Sequence, residues 1–115
     1  MTAPDILKNL PAIDESRLTW EPLRDGIDAS WLYRNGADGP AAALLRYRPG
    51  ARVPLHRHRG YEHIYILRGS QTDGRGTLPA GSFIVNSPGT AHAVRSEDGC
   101  LALLIWQVPI EIIGV

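Results

Sequence analysis

The stretch PLHRHRGYEHIYILRG, residues 54–69, holds three of the chain's four histidines, with a carboxylate, Glu62, among them. Side chains two apart on a strand point to the same face, so His56 and His58 project together while Leu55, Arg57 and Arg59 project the other way. Neutral imidazole is the commonest metal-binding side chain, and an adjacent same-face pair converges on one ion without backbone strain. Beyond the Arg59-Gly60-Tyr61 turn, Glu62 opens the next strand and can return a carboxylate to that interior. Its neighbour His63 then faces the opposite side, where it packs or meets solvent. His92 stands alone downstream and would complete the set from a later strand. An isolated His-x-His is more often an exposed strand with solvated rings. Here Pro54, Gly60 and Gly69 mark tight turns around the cluster, and a strand alternating imidazole with arginine is an odd choice for a mere core element.

Such a cluster needs strands that bring residues 56–62 and 92 to one place. Twelve glycines and nine prolines cut the chain into short pieces, and Val, Ile, Tyr and Trp fill the pieces, a composition that favours strands over helices. The predicted strands are residues 18–23, 29–34, 42–48, 53–58, 62–68, a short segment at 69–72, 82–86, 91–95 and 101–108. Asn35-Gly36, Asp73-Gly74, Pro79-Ala80-Gly81, Pro88-Gly89 and Asp98-Gly99 supply the turns between them. Many short strands with regular turn signals predict an all-β sandwich or barrel. PDILKNLPAI is expected to make at most one helical turn before Pro11 stops it, and the final PIEIIGV is a last strand or an arm that packs on a partner.

At 115 residues the chain suits one domain. Twelve basic residues balance twelve acidic ones, so no global basic field exists to hold a phosphate backbone, and nucleic acid is excluded as a partner. Arginine supplies all the cations except Lys8, which favours bidentate contacts over solvated charge. The single cysteine, Cys100, cannot close an intrachain disulfide. No basic leader with an apolar core opens the sequence, and no apolar run reaches membrane-spanning length, so a cytoplasmic protein with no membrane partner is expected.

Gly50, His56, His58, Glu62 and Gly69 reproduce the first cupin motif, G-x5-H-x-H-x3-E-x6-G, with every spacing kept. Gly81, Gly89 and His92 match the second, G-x5-P-x-G-x2-H-x3-N, in which Ser87 holds the proline position, with Pro88 one place late, and Ser96 holds the asparagine position. The chain thus resembles the cupin superfamily. From about Leu44 to Trp106 it looks most like the cupin domain of ChrR-type anti-sigma factors and related small stand-alone cupins, through RYRPGARVPLHRH, the EHIYILRGSQTDGRGTLPAGSF run, SPGTAH and SEDGC. The resemblance implies a double-stranded β-helix, the jelly-roll cupin barrel, as a single domain over residues 1–115. Its barrel motifs would span about 40–108, with N-terminal strands at 18–34 and a C-terminal strand or arm at 109–115. It also implies one divalent metal held by His56, His58, Glu62 and His92.

Three imidazoles and one carboxylate leave an octahedral ion about two open positions, which suit water, a bidentate enol or diketone, or dioxygen. Iron, manganese, nickel, copper and zinc all fit this donor set; a redox-active ion permits dioxygenase chemistry and zinc only Lewis-acid or structural roles. Tyr47, Phe83, Asn86, Trp106 and Gln107 lie on strands that can line the barrel and so tune such a site, but ordinary core or interface packing is the favoured reading for each. Cys100 has no basic neighbour in sequence and is read as a small buried hydrophobe. Two functions follow: a metal-dependent enzyme acting on a compact carbonyl or enolic substrate, or a binding and sensing module like the cupin half of an anti-sigma factor. ChrR-type proteins bind their sigma factor through a separate helical N-terminal module with a zinc site. Here only about forty residues, without Cys or His, precede the barrel motif, so a free-standing cupin is expected. Trp20, Trp31 and the PIEIIGV tail offer more apolar surface than one small barrel covers, which predicts a homodimer.

Overall fold

Short apolar runs broken by glycine and proline form ten strands in the computed structural model, which describes residues 6–114. They are β1 (Glu21–Arg24), β2 (Ile27–Arg34), β3 (Ala41–Tyr47), β4 (Ala51–Arg57), β5 (Glu62–Asp73), β6 (Gly76–Pro79), β7 (Phe83–Asn86), β8 (Ala91–Ser96), β9 (Cys100–Trp106) and β10 (Glu111–Ile112). All pairings are antiparallel, in the order β1-β2-β3-β9-β5-β8-β4-β10, with β6 and β7 also paired to β5. The sheet curls on itself as the expected all-β jelly roll. Its concave side buries Ile27, Ala29, Ala43, Leu45, Ile64, Ile66, Val94, Ala102 and Leu104 in one cluster.

Two departures from strict alternation shape the barrel. On β5 the even residues Glu62, Ile64 and Ile66 point inward, but Gln71 and Asp73 do so further on, because the ladder to β9 slips between Ile66 and Arg68. The predicted strand 62–68 and segment 69–72 are therefore one continuous strand that changes phase. Gly69 permits this: it sits at φ 76°, and a Cβ there would collide with the Gly99 carbonyl and the Cys100 Cα. On β4 the register to β8 slips between Val53 and His56, across Pro54, which has no N–H to give to a ladder.

The N-terminal segment departs from expectation. No helical turn precedes Pro11 over residues 6–9; Pro11 lies inside a 3-10 turn at Leu10–Ala12, followed by another at Glu15–Arg17, and Pro4 and Asp5 lie outside the described residues. The first strand begins at Glu21 rather than 18, because Leu18 and Trp20 leave the sheet and, with Leu10 and Ile13, pack on the convex-side cluster of Leu44, Leu67 and Leu101. The Trp20 indole N–H donates to the Glu15 carbonyl at 2.9 Å, and the Arg46 guanidinium lies over its ring. Trp31 packs edge to face against Trp106 and donates to Glu21 Oε1. The tail folds back as well. Glu111 pairs with Arg57 and Ile112 with His56, while the Ile113 and Gly114 N–H groups donate to the Leu55 carbonyl. All three features cited for a dimer thus have partners within the chain. No helix among the described residues is long and apolar enough to cross a membrane.

Candidate metal centre

The β4–β8 ladder places His56 directly opposite His92, and His58 follows just past the end of β4. Glu62 opens β5 after the 58–61 turn, so all four predicted ligands reach one point, with donor atoms within 4.8 Å of one another. The three rings pack mutually, centroids 4.6–5.2 Å apart. His56, His58 and Glu62 are buried, and the His92 side chain retains 12 % exposure.

Each ring has its Nδ1 assigned by an acceptor that cannot donate. His56 Nδ1 donates to the Pro54 carbonyl at 2.8 Å, His58 Nδ1 to the Thr90 carbonyl at 3.1 Å, and His92 Nδ1 to Asp73 Oδ2 at 2.8 Å. The Nε2 atoms are thereby left as lone-pair donors facing inward. Those of His58 and His92 are buried with no hydrogen-bond partner, although His58 Nε2 lies 3.2 Å from Glu62 Oε1. Two buried lone-pair atoms beside a carboxylate oxygen are costly in a dry interior and are satisfied together by one cation at their focus. The residues therefore fit a divalent ion, with His56, His58, Glu62 and His92 as the set that could hold it.

Electrostatics agree with ligation. Burial lowers the pKa of both His56 and His92, so they are neutral and ready to donate at neutral pH. Burial alone would raise the Glu62 carboxyl, but its pKa lies below the ordinary value, and the Asn86 amide, which donates to Oε1 at 3.0 Å, is one of the contacts that hold it there. Asp73 is likewise pushed up by burial, yet Arg75 and His92 bring it down to about 2. Arg75 reaches both sides of the centre: its guanidinium donates to Asp73 Oδ2 and to Asn86 Oδ1, so one cation braces the partners of His92 and of Glu62.

The sequence reading did not single out Pro54, Thr90, Asp73 or Arg75 for these roles. Asp73 was read only as part of an Asp-Gly turn; the β5 phase change turns it inward, and β6, also unforeseen, closes the hairpin that carries Arg75. Of the five residues nominated around the site, Asn86 touches Glu62, and Tyr47 and Trp106 line the adjoining cavity. Phe83 and Gln107 face outward; Phe83 is 62 % exposed, and Gln107 accepts the Tyr61 N–H. His63 lies outside the cluster as expected, stacked between Tyr61 and Phe83. Cys100 is buried with its thiol pKa raised by burial, and it accepts a long contact from Gln71. Ser96, in the asparagine position of the second motif, is fully buried and donates to the Ser70 carbonyl, away from the ligands.

Beside the histidines runs a cavity of about 290 Å³. Ile27, Leu45, Val53, Ile64, Val94 and Leu104 line it together with His56, Glu62 and His92.

Among curated proteins none matches this sequence. Solved structures do. The complex of Rhodobacter sphaeroides SigE with the anti-sigma factor ChrR superposes with a TM-score of 0.71 at 26 % identity, over 82 % of this chain and 51 % of that one. This chain therefore spans about half the length of that relative. An acetylacetone dioxygenase from Acinetobacter johnsonii gives 0.76 at 18 % identity, over 98 % of this chain and 80 % of the other, a likeness of fold. An RmlC-like cupin from Ralstonia eutropha gives 0.71 at 20 %, over 84 % and 68 %. Finally, the family model described as the ChrR cupin-like domain matches residues 9–108, nearly the whole described barrel, and the chain belongs to that family.

Proposed function

We propose that this protein is a single-domain, metal-dependent cupin that binds a small carbonyl or enolic molecule beside an ion held by His56, His58, Glu62 and His92. The observation that carries the reading is the pair of orphaned, buried Nε2 atoms facing Glu62. A bound ion supplies Lewis acidity and, if it is iron, access to dioxygen. The chain's own part is to fix the three imidazole tautomers, to keep Glu62 anionic through Asn86, and to exclude bulk water with the aliphatic wall. The enzymatic version is a dioxygenase, in which both atoms of dioxygen enter the cleaved substrate. Metal analysis of protein purified without chelator or affinity-tag nickel tests the first half, with about one equivalent per chain expected. Oxygen uptake by iron-loaded protein over a panel of diketones and hydroxyketones tests the second. No uptake supports the other reading, a non-catalytic sensing module, which the 26 % identity to the ChrR of the SigE complex favours.

The same proposal includes a cytoplasmic homodimer, on different grounds from the tryptophans and the tail. Val85 and Ile105 flank His63 across β7, β5 and β9, and with Tyr61 and Phe83 they expose apolar side chains on one outer face. Phe83→Asp is expected to shift a light-scattering mass from two chains to one.

A further inference from the structure

The cavity beside the histidines is more selective than the ligand set itself, and what it selects can be read from its walls. Its volume of about 290 Å³ is at the small end of the range of small-molecule sites. Polar residues on the wall include His56, Glu62 and His92 of the cluster, and also Arg24, Tyr47 and Gln71. Aliphatic side chains such as Leu45, Ile64 and Leu104 line much of the rest, and Trp31 and Trp106 add an edge-to-face pair with centroids 5.8 Å apart. Arg34 also lines the cavity, but its side chain is 55 % exposed, and its guanidinium is engaged over the Trp31 ring and near Glu21. A ligand body that carried charge would lose its water against these aliphatic walls, and the lining cations, half-buried Arg24 and exposed Arg34, both keep contact with solvent. A flat apolar ring would instead gain from burial and from a third edge or face against the indole pair.

We infer that the ligand joins one anionic oxygen-donor head to a compact, uncharged, preferably aromatic body. The head rests on the proposed metal reading; the body rests on the cavity alone.

The test separates the two. Zinc titrated against a chromophoric chelator first reports on the metal centre by itself. On zinc-loaded protein, benzohydroxamate is then compared with acetohydroxamate, which has the same chelating head and a methyl in place of the ring. The aromatic probe should bind at least about tenfold more tightly. A 4-carboxylate on its ring should abolish the gain, and Trp106→Ala should reduce it without changing zinc affinity. Equal binding of the two parent hydroxamates by the wild-type protein overturns the inference while leaving the metal centre standing. If zinc does not bind, toluene in the metal-free protein decides. Toluene should then shift the indole N–H resonances of Trp31 and Trp106 and leave that of Trp20, on the convex side, in place. Unmoved Trp31 and Trp106 resonances overturn the inference.

Discussion

His92 donates its Nδ1 proton to Asp73 Oδ2 over 2.8 Å, across two strands of the barrel wall. That bond orients the most exposed of the three clustered rings and makes its Nε2 the more basic donor. Asp73→Asn, which keeps an acceptor but loses the charge, is expected to weaken zinc binding by about tenfold, and Asp73→Leu by about a hundredfold. Competition with a chelator measures both. His63→Ala should leave the affinity unchanged, since its ring stacks on Tyr61 and Phe83 outside the cluster.

Glu62 is buried, hydrogen-bonded by Asn86 and already below its ordinary pKa, all of which favour a resident anion. Glu62→Gln keeps the shape and removes the charge. Zinc affinity should fall by at least about tenfold, while circular dichroism shows the same fold. Retained affinity with faster turnover by an iron-loaded sample would instead mean that Glu62 swings away from the ion.

The metal-free protein should lose stability on acidification. Burial depresses the folded-state pKa of His56 and His92, so below about 6.5 the unfolded chain takes up protons that the folded one refuses. Their contribution is complete above that pH and is lost as pH falls through the folded values. Asp73 acts in a lower window: its contribution persists down to its ordinary value of 3.8 and disappears toward about 2. Urea midpoints at pH 8, 6 and 5 should decline in that order. Zinc-loaded protein should decline more steeply, because protons compete for the imidazoles.

Gly69→Ala should be among the most damaging small substitutions. The residue combines a positive φ with backbone in the path of any Cβ, so relief requires moving β5 away from Gly99 and Cys100. A loss of about 3 kcal/mol or more is expected from chemical denaturation.

The clustering of the four side chains was legible because its information is local: His56 and His58 share a strand face, Glu62 follows one turn later, and His92 keeps its motif spacing. The strands were legible from short apolar runs and turn residues, though β6, whose Gly-Thr-Leu-Pro carries little strand signal, was not. The residues that assign the imidazole protons were hidden for a different reason. A period of two read along β5 sends Asp73 to the wrong face, and only the register slip past Ile66 corrects it. Pro54 and Thr90 act largely through backbone carbonyls, which carry no side-chain signature. For Phe83 and Gln107 strand membership left both faces open, and the structure turns both outward.

The short strand β10 covers the far side of β4, beside His56 and Arg57. Without it, the strand that carries His56 would end the sheet, its backbone N–H and C=O groups open to any passing chain. The tail therefore acts as a guard against misassembly placed on the binding strand itself. Cleavage between Gly114 and β10 or within β10 would bare that edge, which ties the solubility of the folded protein to a two-residue strand.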